Sequence, residues 1–303
     1  MKIIDFIFSS RPLLIMPAWT VYLVCLHYHH QLSGDKFDGL DLAVLFCLSG
    51  VFAGAIYLNQ VYDYESDLLN EKVGFLQKKI ITPKEMMLAA VVLTITAAAV
   101  GGLIAWNTLM IVILVFVMGY IYSVPPLRLK DNPFFNLFIN GFTYGFLVPL
   151  ATMPDLSLHN AGLLGWDNPF YFLCTLVSVT ALTTVPDMKG DERTGTRTIA
   201  VVLRRTGTLL VALVFMLAAL LLAYRSGFEL LAGLAAVATL LILAALFINT
   251  EKMILLAVKL PLLLVTLLAG YFYPLYLLFI VALILSLRIY YRKRFGIIYP
   301  KMT

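Results

Sequence analysis

Residues 40–67 read LDLAVLFCLSGVFAGAIYLNQVYDYESD. The part from 42 to 58 carries no charge, and 40–60 has the length of about 20 residues that one α-helix needs to cross a bilayer. Directly after it stands Asn59-Gln60-Val61-Tyr62-Asp63-Tyr64-Glu65-Ser66-Asp67. Asn59, Asp63 and Asp67 lie at i, i+4 and i+8, so a continuing helix sets all three on one face. A span that ends in a ladder of carboxylates identifies a membrane protein with chemistry at the boundary.

The rest of the chain agrees. Its 303 residues are 61% hydrophobic and only 13% charged, with a mean hydropathy of +0.93. Soluble domains carry about a quarter charged residues. This composition excludes a disordered chain, a disulfide scaffold and a simple nucleic-acid binder. Cys25, Cys47 and Cys174 fall inside apolar segments without metal spacing and read as core residues. Further spans are expected near 12–31, 86–105, 107–124, 134–153, 168–186, 206–224 and 228–248. The stretch 253–290 is too long for one span and holds Gly270 and Pro274, which suggests a hairpin of two. No cleavable signal peptide and no separate soluble domain are evident, so 1–303 reads as one polytopic domain.

Threading the spans places the N-terminus and the 61–85, 125–133 and 187–205 loops on one side. That side holds Lys2, Arg11, Lys72, Lys78, Lys79, Lys84, Arg128, Lys130, Lys189, Arg193, Arg197, Arg204 and Arg205, against little beyond Lys36 and Arg225 opposite. The net charge of +5 thus reads as positive-inside bias, which makes the first side cytoplasmic in a multi-pass cell-membrane protein. The basic tail Arg288, Arg292, Lys293 and Arg294 favours an even number of spans.

A second acidic pair, Asp187 and Asp191, ends the 168–186 span, with Thr180, Thr183 and Thr184 leading to it. Such like-charged pairs need partners, either neighbouring Lys and Arg or divalent cations. Oxygen-only ligands suit Mg²⁺, which takes one or two carboxylates and completes its shell with water and substrate phosphates. No His or Cys lies near either cluster, which argues against zinc. Between the two pairs runs Tyr122-Ser123-Val124-Pro125-Pro126-Leu127-Arg128-Leu129-Lys130, whose prolines end the helix and present two cations suited to phosphate oxygens. Lys189, Arg193 and Arg197 repeat the pattern. Metal-binding acids mixed with phosphate-binding bases describe a diphosphate site.

These motifs resemble the UbiA superfamily of intramembrane prenyltransferases. Asn59, Gln60, Asp63 and Asp67 match its first signature, N-[DQ]-x-x-D-x-x-x-D, and Asp187 with Asp191 its second. Arg11-Pro12 and the Tyr122–Lys130 stretch also fit, and the likeness runs from about residue 10 to 250. Where many members carry an arginine after the first motif, this chain has Lys72, Lys78 and Lys79. The resemblance implies an all-α bundle of nine transmembrane helices, ten with a C-terminal addition. Its central cavity would open to the cytoplasmic side and laterally to the bilayer.

It also implies Mg²⁺-dependent transfer of an isoprenyl group from its diphosphate to an acceptor, an aromatic or quinone precursor before a glycerol-phosphate lipid. Asp63, Asp67, Asp187 and Asp191 would be catalytic and, with Asn59, hold two Mg²⁺ ions. Arg11, Lys72, Tyr122, Ser123, Arg128, Lys130, Lys189 and Arg193 would bind substrate. Tyr62, Tyr122, Phe138, Phe142, Tyr144 and Tyr171 are aromatic candidates for sheltering an allylic cation. Partners would be the donor, a hydrophobic or aromatic acceptor and the bilayer, with no nucleic acid. The rival readings are a transporter with buried acids, which would place them mid-span, and another lipid phosphotransferase, whose acids would be closely spaced.

Overall fold

The computed structural model describes residues 2–69, 74–153 and 163–300, and among these it is helical throughout. In chain order the helices are α1 (Lys2–Ser9), α2 (Pro12–Ser33), α3 (Gly39–Tyr62), α4 (Tyr64–Leu69), α5 (Pro83–Ile104) and α6 (Trp106–Ser123). Then come α7 (Pro133–Phe142), a π-helical stretch (Thr143–Leu147), α8 (Val148–Leu150), α9 (Leu163–Thr183) and α10 (Met188–Thr194). The last four are α11 (Ile199–Arg225), α12 (Glu229–Ile248), α13 (Glu251–Phe272) and α14 (Pro274–Phe295).

Helices α3, α5, α6, α11, α12, α13 and α14 are each long and apolar enough to cross a membrane, and α1 with α2, bent by 58°, is a further candidate. The protein is therefore a multi-pass membrane protein. Its outer faces agree: Leu103 and Phe247 are 87% exposed and Leu275 80%, side chains that water would penalise and lipid accepts. The stretch 253–290 is two helices, divided at Tyr273 where Pro274 opens α14.

Local chemistry sets the boundaries. Asp38 accepts from the amides of Leu40 (2.8 Å) and Asp41 (3.1 Å) while its own amide donates to Asp41 Oδ2, a reciprocal cap that starts α3. Thr82 and Glu85 cap α5 in the same way, with Pro83 at its first position. Asn132 caps α7 ahead of Pro133 by accepting from Phe134 and Phe135.

Between membrane helices there is no water to expel, so association relies on close van der Waals packing through small residues. A Cβ added at Gly145 would lie 2.4 Å from Phe172 O and 2.7 Å from Leu173 Cα, both backbone atoms that cannot swing aside. Gly145→Ala is accordingly expected to destabilise the fold by about 2 kcal/mol. A lowered unfolding midpoint in detergent checks this. Gly233→Ala, with no atom within 4 Å, is the neutral control.

The main core joins α2, α3, α6, α9, α11, α12 and α13. A second core lies at one end, where Phe75, Leu76 and Ile81 pack with Tyr57 and Met86 against Phe6, Phe8, Tyr290 and Phe295. Asp5, 3% exposed, accepts hydrogen bonds from Tyr290 Oη and from Arg294 Nη2 at 3.1 Å, and its Oδ1 is ion-paired with Arg294 Nε at 3.1 Å. The two chain ends and the 74–81 loop thus meet at one end of the bundle.

Candidate active site

Helix α3 stops at Tyr62, and Asp63 follows with φ −93° and ψ 0°, close enough to helical that the i→i−4 bonds carry on. Asp63 N donates to Asn59 O (2.9 Å) and Asp67 N to Asp63 O (2.8 Å). Asn59, Asp63 and Asp67 therefore keep one face across the break into α4. Asp67 is 7% exposed.

The loop after α6 brings its cations to this face. Arg128 takes a left-handed backbone (φ 35°) and sends Nη2 to Asp63 Oδ1 at 3.2 Å, while its Nε engages Asp131 Oδ2 at 3.0 Å. Lys130 Nζ bonds the same Asp63 oxygen, with its side chain only 11% exposed. Asn59 Nδ2 donates to Ser123 Oγ at 3.3 Å, joining α3 to the end of α6. Asn136 Nδ2 lies 3.4 Å from Tyr122 Oη and 3.2 Å from Lys130 O, which holds α7 against the same loop.

Inward from this cluster lies a cavity of about 580 Å³. Arg11, Asn59, Tyr122, Ser123, Asn136, Thr183 and Thr184 are among its lining residues. So are Asn140 and Thr180, each about one helical turn further from those helix ends, Thr143 about one turn beyond Asn140, and apolar side chains from Leu14 to Leu262. Tyr144 lines it too, stacked on Phe52 with ring centres 4.5 Å apart. Phe138 and Phe142 stack on each other outside the lining, and Tyr62 is 37% exposed. Tyr171 belongs to a neighbouring pocket and donates to Leu231 O.

The second acidic segment forms its own short helix. Asp187 stands at the head of α10, exposed, and Asp191 N donates to its carbonyl at 2.9 Å. Asp191 Oδ2 accepts from Thr198 Oγ1 at 3.0 Å, whereas Lys189 and Arg193 are exposed. Arg197 and Arg128 share a surface hollow, so the loop after α10 borders the Asp63 cluster. Lys78 and Lys79 are exposed, and Lys72 lies outside the described residues.

Among the described residues no three Asp, Glu, His or Cys side chains converge on a point that could hold a metal. The donor set nevertheless fits Mg²⁺ beside a diphosphate, because that ion needs one or two carboxylates and takes its other ligands from phosphate and water. Asp63 is one such carboxylate, paired through Oδ1 with Arg128 and Lys130. The acids stand at helix ends, not mid-span as a transport path would require.

Asn136 and Asn140 carry a signal of their own in the sequence: two amides at i, i+4 inside the apolar 134–153 run are costly in lipid unless they face a cavity or partner.

The UbiA prenyltransferase family model matches residues 14–253, and the chain belongs to that family. It is 31% identical over 187 residues to 2-acyl-4-prenylphloroglucinol 6-prenyltransferase of Humulus lupulus, covering 57% of this chain and 43% of the relative. Digeranylgeranylglyceryl phosphate synthase of Methanobrevibacter smithii is 30% identical over 165 residues, 52% of this chain and 54% of its own length. The match thus spans about half of each of these relatives. A UbiA homolog from Archaeoglobus fulgidus, solved with GPP and Mg²⁺, superposes with a TM-score of 0.69 at 17% identity, covering 89% of this chain and 98% of that one.

Proposed function

We propose that this protein transfers an isoprenyl group from its diphosphate to an acceptor inside the membrane. The observation that carries the reading is Asp63, held by Arg128 and Lys130 beside a largely apolar cavity. Charge for a diphosphate and space for a hydrocarbon meet there. Transfer breaks the allylic C1–O bond, pyrophosphate leaves with the electron pair, and C1 bonds to the acceptor, which releases a proton. Mg²⁺, held by Asn59, Asp63 and Asp67 and by Asp187 and Asp191, would neutralise the leaving pyrophosphate. Arg128, Lys130, Arg11, Lys189 and Arg193 add fixed positive charge, preorganised before the reaction. Tyr122 and Tyr144 face the cavity and can shelter a developing allylic cation from water.

The family's named relatives act on both a phloroglucinol and a glyceryl phosphate, as their names state. The cavity wall of Asn136, Asn140, Thr180 and Tyr122 offers neutral amides and hydroxyls. Those groups suit a ring bearing hydroxyl or carbonyl groups, so an aromatic or quinone precursor is the first choice of acceptor. The whole chain acts as one domain, with the cavity open to the cytoplasmic side and laterally to lipid. Labelled diphosphates of several lengths, offered with a hydroquinone and with a glycerol-phosphate lipid, test the reading. Acceptor-dependent product with matching pyrophosphate release is expected. Hydrolysis without an acceptor adduct would contradict it.

The orientation has its own test, motivated by the basic loops. Single cysteines at Gln77 and Glu192, in a protein lacking Cys25, Cys47 and Cys174, are expected to resist an impermeant thiol reagent in intact cells. Labelling of either from outside reverses the assignment.

A further inference from the structure

A second pocket, of about 350 Å³, adjoins the cavity and shares Pro17, Leu176, Val179 and Leu262 with its wall. It carries four hydroxyl side chains, and each is already satisfied within the protein. Thr20 Oγ1 pairs with Tyr276 Oη at 2.7 Å, Thr175 donates to Tyr171 O at 2.9 Å, Thr266 to Leu262 O at 2.7 Å, and Tyr171 to Leu231 O at 3.1 Å. What remains is a hydrocarbon surface with nothing to offer a polar group, so a polar ligand entering it would lose its water without compensation. The chemistry selects an alkyl or alkenyl chain.

One wall comes from α13 and α14, and α14 lies wholly beyond the residues that the family model matches. It contributes Ile280 and Ile284, one turn apart. It is also firmly seated. Tyr276 bonds Thr20, Phe279 stacks on Trp19 at 5.1 Å, and Tyr290 and Arg294 grip the buried Asp5. A wall fixed at both ends holds its shape against a mobile tail.

We propose that Ile280 and Ile284 of α14 close the far side of a tail pocket and so set how long an isoprenyl chain the protein accepts. This rests on the prenyl-transfer reading for the identity of the tail. It goes beyond that reading in assigning length selection to a helix outside the family match.

The test measures binding of DMAPP, geranylgeranyl diphosphate and geranylgeraniol to the full-length protein and to Ile280→Trp, Ile284→Trp and Ile284→Ala variants. Each buried methylene is worth enough that losing room for two weakens binding roughly tenfold. Either Trp variant is expected to lose at least that for both long chains, with DMAPP within about twofold of native. Ile284→Ala enlarges the pocket and is expected to shift preference toward the longer diphosphate. This opposite sign separates pocket shape from a folding defect. Equal loss for short and long ligands, or no change in any variant, overturns the proposal. Geranylgeraniol distinguishes the two readings. If no diphosphate binds but geranylgeraniol binding still falls in the Trp variants, the pocket stands and prenyl transfer fails. If the native protein binds diphosphates and the variants do not discriminate length, prenyl transfer stands and the pocket fails.

Discussion

Replacing any one of Asp63, Asp67, Asp187 or Asp191 by Asn is expected to lower turnover by about 10²–10³-fold, the scale of losing one preorganised electrostatic contact in a catalytic site. Asn keeps the size and one oxygen and removes only the charge. Asp63→Asn carries a further penalty, since Arg128 and Lys130 both lose their anionic partner. Initial rates with donor and acceptor saturating measure the effect. Asn59→Ala is expected to be milder, because a neutral amide is a weak ligand. The two acidic segments are expected to be non-additive, since a diphosphate clamp needs both sides. Near-native rates in any two of the four Asn variants would show that these are merely solvated acids.

The second large effect concerns the cations. Arg128→Ala and Lys130→Ala each remove a charge-assisted contact of about 1.5–3 kcal/mol, or roughly ten- to a hundredfold in kcat/KM for the donor. Lys130 is the more enclosed of the two, 11% exposed against 32% for Arg128. Arg128 divides its planar fork between Asp63 and Asp131. In an Asp63→Asn background the Lys130→Ala effect is expected to shrink, because the pair already shares one interaction. Full additivity of the two changes would mean that Lys130 serves the loop's orientation alone.

Much of this was legible in the sequence because spanning helices advertise themselves by length and apolarity. The apolar run predicts a span over 40–60 and helix α3 runs Gly39–Tyr62, and the break of 253–290 follows from Pro274. Boundaries drifted where polar residues lie inside helices. Helix α9 starts at Leu163, ahead of 168, and takes in Asp167, whose carboxylate accepts from Ser226 Oγ just past the end of α11. Helix α11 starts at Ile199, ahead of 206, since its first turns carry Arg204 and Arg205 and read as loop. Short helices α4 and α10 are polar and give no hydropathy signal. The packing of Phe75 and Leu76 against Phe8 and Tyr290 joins residues more than 200 positions apart, which no local pattern encodes. At the site, spacing alone put Asn59, Asp63 and Asp67 on one face, and the structure keeps them there. The ligation of Asp63 by both Arg128 and Lys130 depends on how the loop after α6 folds back, which periodicity does not reveal.

A single-turnover reaction with a labelled isoprenyl diphosphate, excess purified protein and one prenyl-accepting hydroquinone, run in graded Mg²⁺ and in chelator, tests the central claim most directly. Prenyl transfer at this site predicts that labelled product and pyrophosphate appear together, that both vanish in chelator and return with Mg²⁺, and that a double Asp63→Asn, Asp187→Asn variant forms neither. Product formation that ignores Mg²⁺, or that persists in the double variant, would contradict it.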